Sequence, residues 1–559
     1  MEKIWLQYYP AGVPHEVDAA AFMSILDVFT QSCARFRGLP AFSSLGTRMS
    51  YGELDRLTRD FAAYLQTHCG LVKGDRLAIM LPNVLQYPVA LFGAFRAGLV
   101  VVNCNPLYTP RELAHQLKDS GARALVVLEN FAHTAQHVLG ETAVDTVITT
   151  GLGDLFPPFK RLATNLAIKY VKKMVPGWHI PGAVNFRKTL AEGRQLALVP
   201  VPLTPRDIAF LQYTGGTTGV PKGAMLSHGN MVANLQQISA WIGPRFAEGV
   251  EVVVTPLPLY HVFALTANLL TFFKWGALNI LIANPRDIPA LVAELGRQPF
   301  TAITGVNTLF GALLRDPGFA KVDMHALKVA FGGGMPVQRA VAEQWASVTG
   351  SYLIEGYGLT EASPLVAGNP LDTRAYTGTV GLPFPSTEIK VCDESGAELP
   401  LGEVGEVLVR GPQVMQGYWQ QAEETANVLS ADGWLKTGDM GFMDTQGRVK
   451  LTDRKKDMIV VSGFKVFPNE VEEAVITHPG VLEVAAIGVA DERAGEAVMI
   501  VVVRRDNALT AEALIAHCRT QLTGYKVPRH VVFSDTPLPK TPVGKILRRL
   551  VRVDAQDAS

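Results

Sequence analysis

The stretch YTGGTTGVPKG, residues 213–223, combines residue types that bind phosphate groups. It follows DIAFLQ, a short apolar run typical of a buried strand, and precedes MLSHGNMVANLQQISAW, which we predict to be a helix. Its glycines allow backbone N–H groups to approach an anion, its threonine hydroxyls add donors, and Lys222 adds a positive charge. The order strand, loop and helix therefore predicts a phosphate-binding loop.

A glycine- and threonine-rich stretch is also typical of a flexible surface loop. The Walker A pattern does not apply, because it requires Gly-Lys followed by Ser or Thr, whereas here the lysine lies between Pro221 and Gly223. Three threonines and one lysine among four glycines favour the phosphate-binding interpretation.

The overall composition indicates a large globular protein. A chain of 559 residues is too long for one core, and 48% hydrophobic with 18% charged residues is typical of folded domains. Lys+Arg and Asp+Glu both number 51, so no global field favours nucleic acid, and no nucleic-acid partner is expected. The five cysteines form no CxxC pattern, and the N-terminus lacks the apolar core of a signal peptide. We therefore expect a cytoplasmic protein with reduced thiols.

The first two thirds of the chain alternate short apolar strands with amphipathic helices, which is the pattern of doubly wound α/β sheets. One predicted helix spans residues 50–68 and begins with a capping box from Ser50 to Glu53. After Thr379, short strands separated by Gly and Asp turns predict a small β-rich subdomain. A charged cluster then predicts a boundary before a compact α+β unit. We predict an N-terminal domain over residues 1–452, a hinge over 453–457 and a smaller mobile α+β domain over 458–559.

The segment 155–175 has an unusual pattern of charge and hydrophobicity. Its apolar residues fall at helical spacing, and its basic residues crowd the same segment, as follows: Leu155, Phe159, Leu162, Leu166, Tyr170 and Met174, with Lys160, Arg161, Lys169, Lys172 and Lys173. One interpretation is a basic amphipathic helix lying on a membrane surface. The other, which we favour from the sequence, is a helix packed on its own domain with a solvated charged face.

Six motifs occur in order along nearly the whole chain: YTGGTTGVPKG, FGGGMP, YGLTEAS, GWLKTGD, LTDRKKDMIVVSGFKVFPNEVE and PKTPVGKILRR. Each motif alone is weakly to moderately specific, but six in sequence at these separations are very specific. Together they resemble those of the acyl-adenylate-forming superfamily, most closely the long-chain fatty acid–CoA ligases. The resemblance implies ATP, Mg²⁺ and coenzyme A as small-molecule partners, with a fatty acid as the acyl substrate.

The resemblance assigns most of the polar motif residues to the nucleotide and its metal. Lys222 and the loop would wrap the β- and γ-phosphates, while Glu361 and Thr214 would serve the magnesium ion, a hard cation that prefers oxygen ligands. Asp439 would accept the ribose hydroxyls and Arg454 would contact the ribose. The complete implied nucleotide set is Tyr213, Thr214, Gly215, Gly216, Thr217, Thr218, Gly219, Lys222, Gly333, Gly334, Tyr357, Gly358, Thr360, Glu361, Asp439 and Arg454.

The C-terminal motifs resemble those that run the two half-reactions of the family. Lys545 is similar to the catalytic lysine that bridges the carboxylate and the α-phosphate, where one cation offsets the repulsion between two anions. Lys456 aligns with the family's hinge position. Gly463 and Lys465 would face the pantetheine channel after the C-terminal domain turns. The catalytic set is thus Lys545, Glu361, Thr214 and Lys222.

The stretch PLYHVFAL resembles the entrance to the acyl pocket of the family. His261 would lie at that entrance, although a histidine satisfied by a backbone partner fits nearly as well. The apolar residues that would line a tunnel are Val262, Phe263 and Leu265. Each buried methylene contributes about 0.8 kcal/mol, so a long tunnel favours long chains.

The combined pattern predicts AMP-forming ligation of medium- to long-chain fatty acids to coenzyme A, with peripheral membrane contact and a homodimer left open. Two alternatives stay inside the superfamily: transfer of the acyl group to a carrier-protein thiol, and ligation of aryl acids in a short pocket. A third alternative is a non-catalytic lipid-binding scaffold that uses the segment 155–175.

Overall fold

The computed structural model describes residues 2–214, 221–491, 493–541 and 544–557. Its α-helices are α1 Ile25–Arg35, α2 Tyr51–Thr67, α3 Gln86–Arg96, α4 Pro110–Ser120, α5 Ala132–Gln136, α6 Pro158–Leu166, α7 Phe186–Gly193, α8 His228–Ile242, α9 Thr271–Lys274, α10 Ile288–Leu295, α11 Asn307–Arg315, α12 Arg339–Thr349, α13 Ala422–Val428, α14 Pro468–Ile476, α15 Ala511–Arg519 and α16 Arg548–Asp557. Two π-helical segments continue or precede them, at Ala167–Val171 and Ala264–Leu270.

The strands are β1 Pro40–Ser44, β2 Thr47–Ser50, β3 Arg76–Met80, β4 Val100–Asn103, β5 Ala124–Leu128, β6 Thr146–Thr150, β7 Val184–Asn185, β8 Ile208–Thr214, β9 Lys222–Ser227, β10 Val252–Thr255, β11 Leu278–Leu281, β12 Ala302–Gly305, β13 Val329–Gly332, β14 Leu353–Gly358, β15 Leu365–Gly368, β16 Leu382–Pro383, β17 Glu388–Cys392, β18 Gly405–Arg410, β19 Leu435–Met443, β20 Val449–Arg454, β21 Ile459–Val461, β22 Phe464–Val466, β23 Val481–Asp491, β24 Gly495–Arg504 and β25 His530–Ser534.

Four sheets organise these strands. A seven-stranded sheet has the order β7-β6-β5-β3-β4-β8-β9, and a nine-stranded sheet has the order β16-β15-β14-β13-β12-β10-β11-β1-β2. Both are mainly parallel, with antiparallel strands at their edges. An antiparallel sheet, β17-β18-β19-β20, forms the β-rich part, and β21–β25 form a separate C-terminal sheet. The prediction of doubly wound α/β sheets followed by smaller β-rich and α+β units is confirmed.

Helices that lie between the two large sheets fill the main core. Phe29 on α1 stacks on Phe92 of α3 with 4.1 Å between ring centroids, and on Phe273 of α9 with 5.4 Å. The Ser50 side chain accepts a hydrogen bond from the Glu53 backbone N–H, so α2 begins where the sequence predicts. Burial of these aromatic rings removes large apolar areas from water and fixes one sheet against the other.

The element after the glycine–threonine loop differs from the prediction. The predicted helix from residue 225 is wrong at its start, because residues 222–227 form β9, which pairs antiparallel with β8. The helix begins one residue after Ser227, which forms a capping box with Asn230. The strands on either side of the glycine–threonine stretch are therefore an antiparallel pair, and a strand, not a helix N-terminus, begins at Lys222.

Within the segment 155–175, residues 158–171 are helical, but apart from Leu155 the apolar side chains of the predicted stripe are exposed. Leu155 lies against the main core, whereas Phe159 is 91% exposed and Val171 is 79% exposed. Leu162, Leu166, Tyr170 and Met174 are exposed as well. The helix is held on its own domain through Asn165, whose side chain bonds Gly153 and Asp154, but the apolar stripe takes no part in that packing.

No helix in the described part of the chain has both the length and the apolar character needed to cross a lipid bilayer. The apolar run over residues 88–102 is divided between α3 and β4, both of which are buried.

Candidate active site

The two ends of the glycine–threonine loop are held by one helix. Thr214 at the end of β8 pairs with Lys222 at the start of β9. The Tyr213 hydroxyl donates to Asp119 on α4, and His115 Nε2, one turn earlier on the same helix, donates to the Pro221 carbonyl at 3.0 Å. The predicted ligands Gly215, Gly216, Thr217, Thr218 and Gly219 lie outside the described residues.

The magnesium candidate Glu361 and the loop lysine meet at Tyr418. The Tyr418 hydroxyl donates to Glu361 Oε1 at 2.8 Å, and the Lys222 ammonium lies 5.2 Å from the centroid of the same ring. Lys222 also forms an ion pair with Glu424 on α13. The fold thus brings together the cation and the carboxylate that the sequence assigned to phosphate and metal.

Three glycines of the candidate nucleotide set, Gly333, Gly334 and Gly358, lie where a side chain would collide or the backbone conformation favours glycine. A Cβ on Gly333 would lie 3.2 Å from the Phe263 ring, and a Cβ on Gly358 would lie 2.4 Å from the Pro364 carbonyl oxygen. Gly334 has a φ of 76°, a conformation that favours glycine. Thr360 begins the short 3₁₀ turn Thr360–Ala362 that carries the Glu361 carboxylate.

The ribose candidates form one connected cluster. Arg454 Nε lies 2.6 Å from Asp439 Oδ1, and the Tyr357 hydroxyl donates to Asp439 Oδ2. Asp439 and Arg454 face each other because β19 and β20 pair in that register. The Tyr357 ring is buried, and burial together with the Asp439 charge raises the pKa of its hydroxyl.

Lys545 joins this cluster from the C-terminal part of the chain. Burial and the nearby guanidinium of Arg454 lower the pKa of Lys545 to about 8, while Asp439 acts in the opposite direction. The turn that carries it is closed by the Thr541 N–H, which donates to the Lys545 carbonyl at 2.7 Å. Gly544 packs so closely on α11 that a Cβ there would lie 2.5 Å from Thr308 Oγ1.

The remaining C-terminal candidates lie apart from this cluster. Lys465 is exposed and forms an ion pair with Glu394 at 3.2 Å, and Gly463 lies on the same β21–β22 hairpin with a φ of 84°. Lys456, two residues after Arg454, has an exposed side chain, and partial desolvation followed by the Arg454 charge lowers its pKa. In this arrangement Lys545, and not the β21–β22 hairpin, faces the Asp439–Arg454 pair.

The acyl-pocket candidates lie within the main core. Val262 and Leu265 are fully buried, and the Phe263 ring packs against Gly333 and lies 6.1 Å from the Phe331 ring. His261 Nδ1 accepts the Phe263 backbone N–H at 3.3 Å, and burial lowers the pKa of His261 to about 4. His261 is therefore a neutral imidazole near pH 7, and it has the backbone partner that the alternative interpretation predicted.

The donor set around Glu361 fits a magnesium ion better than a fully protein-bound metal. Among the described residues, no cluster of three or more His, Cys, Asp or Glu side chains has metal-binding geometry. Mg²⁺ commonly takes one or two protein oxygens and completes its shell with water and phosphate oxygens. The Glu361 carboxylate can supply one such oxygen, and the hydroxyl that the resemblance assigns to the metal belongs to Thr214, which pairs with Lys222 across β8 and β9.

Sequence reasoning missed three residues that the structure places at the cluster. Tyr418 contacts both Glu361 and Lys222. Glu355 accepts the Val337 N–H at 3.0 Å, at the end of the loop that contains Gly333 and Gly334. The charge of Arg548 acts on Lys545. Arg548 lies in the motif PKTPVGKILRR, three residues after Lys545, so the sequence could have indicated a second basic residue near the catalytic lysine. The spacing gives no comparable signal for Tyr418, which is 57 residues from Glu361 along the chain.

Comparison with known proteins places this chain in a class of enzymes. The model of AMP-binding enzymes matches residues 29–419, and the model of the AMP-binding enzyme C-terminal domain matches residues 470–545. The chain belongs to the AMP-binding enzyme family, which confirms the resemblance inferred from the six motifs.

Individual relatives match the chain from end to end. A long-chain-fatty-acid–CoA ligase of Escherichia coli O6:H1 is 55% identical over 556 residues, which cover 100% of this chain and 99% of the relative. One from Haemophilus influenzae is 50% identical over 555 residues, which cover 99% and 98%. The crystal structure of ATP-bound MatB from Rhodopseudomonas palustris is 27% identical with a TM-score of 0.83, covering 96% of this chain and 100% of that chain.

Proposed function

We propose that this protein is an AMP-forming ligase that joins medium- to long-chain fatty acids to coenzyme A, using ATP and Mg²⁺. The observation that carries the proposal is the position of Lys545 against Asp439 and Arg454, on the side of the molecule that also holds Glu361 and Lys222. Full-length identity of 50–55% to long-chain-fatty-acid–CoA ligases supports the acyl class. The membership in the AMP-binding enzyme family supports an acyl-AMP intermediate.

The first half-reaction joins the fatty acid to the nucleotide. A carboxylate oxygen of the fatty acid attacks the α-phosphorus of ATP, the bond to the β-phosphate oxygen breaks, and pyrophosphate leaves with that electron pair. Lys545 offsets the repulsion between the two reacting anions, and Thr360 lies near the α-phosphate. Thr214, Lys222 and the loop between them hold the β- and γ-phosphates.

The surrounding residues position the nucleotide for that attack. Asp439 would accept hydrogen bonds from the ribose hydroxyls and Arg454 would contact the ribose, in place of part of the contact that the two side chains make with each other. Tyr357 would stack on adenine, and the Gly333 backbone would contact the edge of the base. When bound through Glu361 and Thr214, the magnesium ion supplies further neutralisation of phosphate charge. Tyr418 fixes the Glu361 carboxylate through its hydrogen bond.

The second half-reaction transfers the acyl group to coenzyme A. The thiol sulfur attacks the acyl carbon, the carbon–oxygen bond to phosphate breaks, AMP leaves and the thiol proton passes to solvent. We assign residues 1–452 to the N-terminal domain, 453–457 to a hinge around Lys456, and 458–559 to the mobile domain. Rotation at the hinge would withdraw Lys545 and present Gly463 and Lys465 to the pantetheine arm.

The acyl chain would enter beside His261, with Val262, Phe263 and Leu265 along its path. The neutral imidazole suits this place, because a charged group would oppose entry of an apolar chain. The Phe263 ring packs against Gly333 and also lies at the start of this path. Phe263 would therefore lie between the adenine-binding and the acyl-binding parts of the site.

Peripheral contact with an anionic membrane surface is part of the proposal. The segment 158–174, which is helical over 158–171, contains five basic and no acidic residues, and its large apolar side chains apart from Ile168 are exposed. The Lys160 ammonium donates to the carbonyl of Leu45, which is itself exposed at a β-hairpin tip, so the apolar surface continues beyond the segment. Apolar insertion together with cationic flanks is the combination that binds anionic lipid. A homodimer that buries the same surface is the competing arrangement.

The half-reactions test the assignment of Lys545 directly. Lys545→Ala should reduce pyrophosphate release from ATP and a long-chain fatty acid by two or more orders of magnitude, on the order of the loss from one preorganised charge contact. Thioester formation from supplied palmitoyl-AMP and coenzyme A should remain, because the withdrawn lysine takes no part in it. Lys540→Ala, a lysine on the same segment that binds Glu483, is the matched control.

Equal loss of both half-reactions in Lys545→Ala, or unchanged pyrophosphate release, would contradict the role given to Lys545. The acyl class is tested in the same assay by comparing acids of increasing length with benzoate. Faster turnover of benzoate than of palmitate would contradict the proposed substrate class.

A further inference from the structure

One guanidinium binds groups on both sides of the proposed hinge. Arg548, the first residue of α16, forms a bidentate ion pair with Glu472 on α14, with Nε–Oε1 and Nη2–Oε2 distances of 2.8 Å. Its Nη1 donates to Asp453 Oδ1 at 2.9 Å and lies 3.5 Å from Asp457 Oδ2. Because Arg548 follows Lys545 by three residues, this contact set also fixes the base of the turn that carries the catalytic lysine.

The partners of Arg548 belong to different parts of the chain. Asp453 lies in β20 and pairs with Met440 of β19, so this first residue of the proposed hinge is held by the β-rich sheet, on the N-terminal side of Lys456. Glu472 belongs to the C-terminal unit, where its Oε1 also accepts the Ala486 N–H of β23 at 2.8 Å. The contact with Glu472 therefore moves with Arg548 when the C-terminal domain turns, whereas the contact with Asp453 crosses the hinge.

Asp453 receives a second bond across the hinge. Its Oδ2 accepts the backbone N–H of Asn469 at 2.7 Å, in the first turn of α14, and the Asn469 side-chain amide donates to the Thr452 carbonyl at 3.0 Å. The Asp453 side chain is only 1% exposed. A carboxylate near a helix N-terminus and a guanidinium, out of water, accepts strong charge-assisted hydrogen bonds.

We propose that Asp453 and Arg548 form a latch that holds the C-terminal domain in the adenylate-forming arrangement. The inference rests on the proposed function, because it needs the rotation between the two half-reactions. Closing the latch positions the Lys545 turn over Asp439 and Arg454, and Arg454 is the residue next to Asp453. Opening it leaves Arg548 paired with Glu472 and exposes Asp453 to water, so neither group becomes a buried unpaired charge.

A charge-removing substitution on the fixed side of the hinge tests the latch. Asp453→Asn should slow pyrophosphate release without coenzyme A by about tenfold, since losing one charge-assisted contact of about 1.4 kcal/mol corresponds to that factor. Thioester formation from supplied palmitoyl-AMP should be unchanged or faster, because that step needs the turned arrangement. A general structural defect would slow both steps.

Two further variants keep the test decisive. Asp457→Asn makes the same charge change at a neighbour of the same guanidinium, but after Lys456, and should leave the ratio of the two half-reaction rates near that of the unmodified chain. Asn469→Ala removes the bond to the Thr452 carbonyl together with the acceptor of Arg548 Nη2, and it should shift the ratio in the direction of Asp453→Asn. If neither Asp453→Asn nor Asn469→Ala changes the ratio, the latch is disproved.

The result is separable from the assignment of Lys545. Normal pyrophosphate release in Lys545→Ala would contradict the proposed mechanism whatever Asp453 does. Loss of that release in Lys545→Ala together with an unchanged ratio in Asp453→Asn would contradict the latch alone.

Discussion

At the scale of single residues, the charge state of the site depends on neighbours that are distant in sequence. Burial is the largest cause of the lowered pKa of Lys545, and the nearby guanidinium groups of Arg454 and Arg548 lower it further. His261 is held neutral by burial alone. Histidine is usually the side chain that changes charge near neutral pH. Here the pKa of Lys545 lies closer to pH 7 than that of His261 does.

The lowered pKa of Lys545 predicts a pH dependence of adenylation. The ammonium is charged below a pH of about 8 and is lost as the pH rises through that value, so kcat/KM for pyrophosphate release should fall above pH 8. The rate measured across pH 6–10 with a long-chain fatty acid and ATP checks this. Lys545→Arg, whose charge persists across this range, should remove the decline even at a lower overall rate. A decline that persists in Lys545→Arg would assign it to another group.

At the scale of elements, strand ends and loop supports determine the site. The loop 332–336 follows β13, and Glu355 on the neighbouring β14 holds its far end through the Val337 N–H. Glu355 is buried, and burial raises its pKa to about 8. It is therefore a neutral acid at pH 7 in the folded chain, which suits a place with few partners for a charge.

Glu355 predicts a pH-dependent contribution to stability. Between a pH of about 4.5 and about 8, the unfolded chain releases this proton and the folded chain keeps it, so the free energy of unfolding falls as pH rises. Glu355→Gln keeps an acceptor for Val337 but does not titrate. Guanidinium unfolding should show the variant more stable than the unmodified chain at pH 8, by an amount on the order of 1 kcal/mol or more, and nearly equal at pH 5. A difference that is the same at both pH values would disprove the titration.

At the scale of the whole molecule, three surfaces converge on one site. Lys222 at the start of β9, the end of β14 with the turn that follows it, and Lys545 of the C-terminal unit meet around Tyr418 and the Asp439–Arg454 pair. In the proposed mechanism the C-terminal contribution separates from the others, and the Asp453–Arg548 contact lies where that separation would begin. The exposed segment 158–174 adds a fourth surface, which we propose binds lipid.

The membrane proposal predicts lipid-dependent binding. Phe159→Ser with Val171→Ser removes two of the most exposed apolar side chains and should lower sedimentation with phosphatidylglycerol vesicles by about tenfold or more. Phosphatidylcholine vesicles should bind the unmodified chain weakly, because they lack the anionic charge that attracts its lysines. Val72→Ser, at a site 64% exposed, is the matched control and should bind normally.

Light scattering separates the two occupants of this surface. A homodimer of the unmodified chain that becomes monomeric in the double variant, with vesicle binding unchanged, would contradict the membrane proposal and support a second copy of the chain. Equal binding to both vesicle types would contradict the electrostatic part.

The sequence by itself determined the order of motifs, the α/β class and the small C-terminal unit, because glycine loops, strand patterns and charge clusters are local signals. The predicted start of the helix at residue 225 was wrong, because a short apolar run forms a helix or a strand according to its neighbours. Here pairing with β8 makes residues 222–227 a strand. Only the tertiary structure revealed Tyr418, Glu355 and the partners of Arg548, because contacts across tens of residues leave no periodicity in a single sequence. It also decided the exposure of Phe159, since a helical stripe predicts one apolar face but does not reveal what covers it.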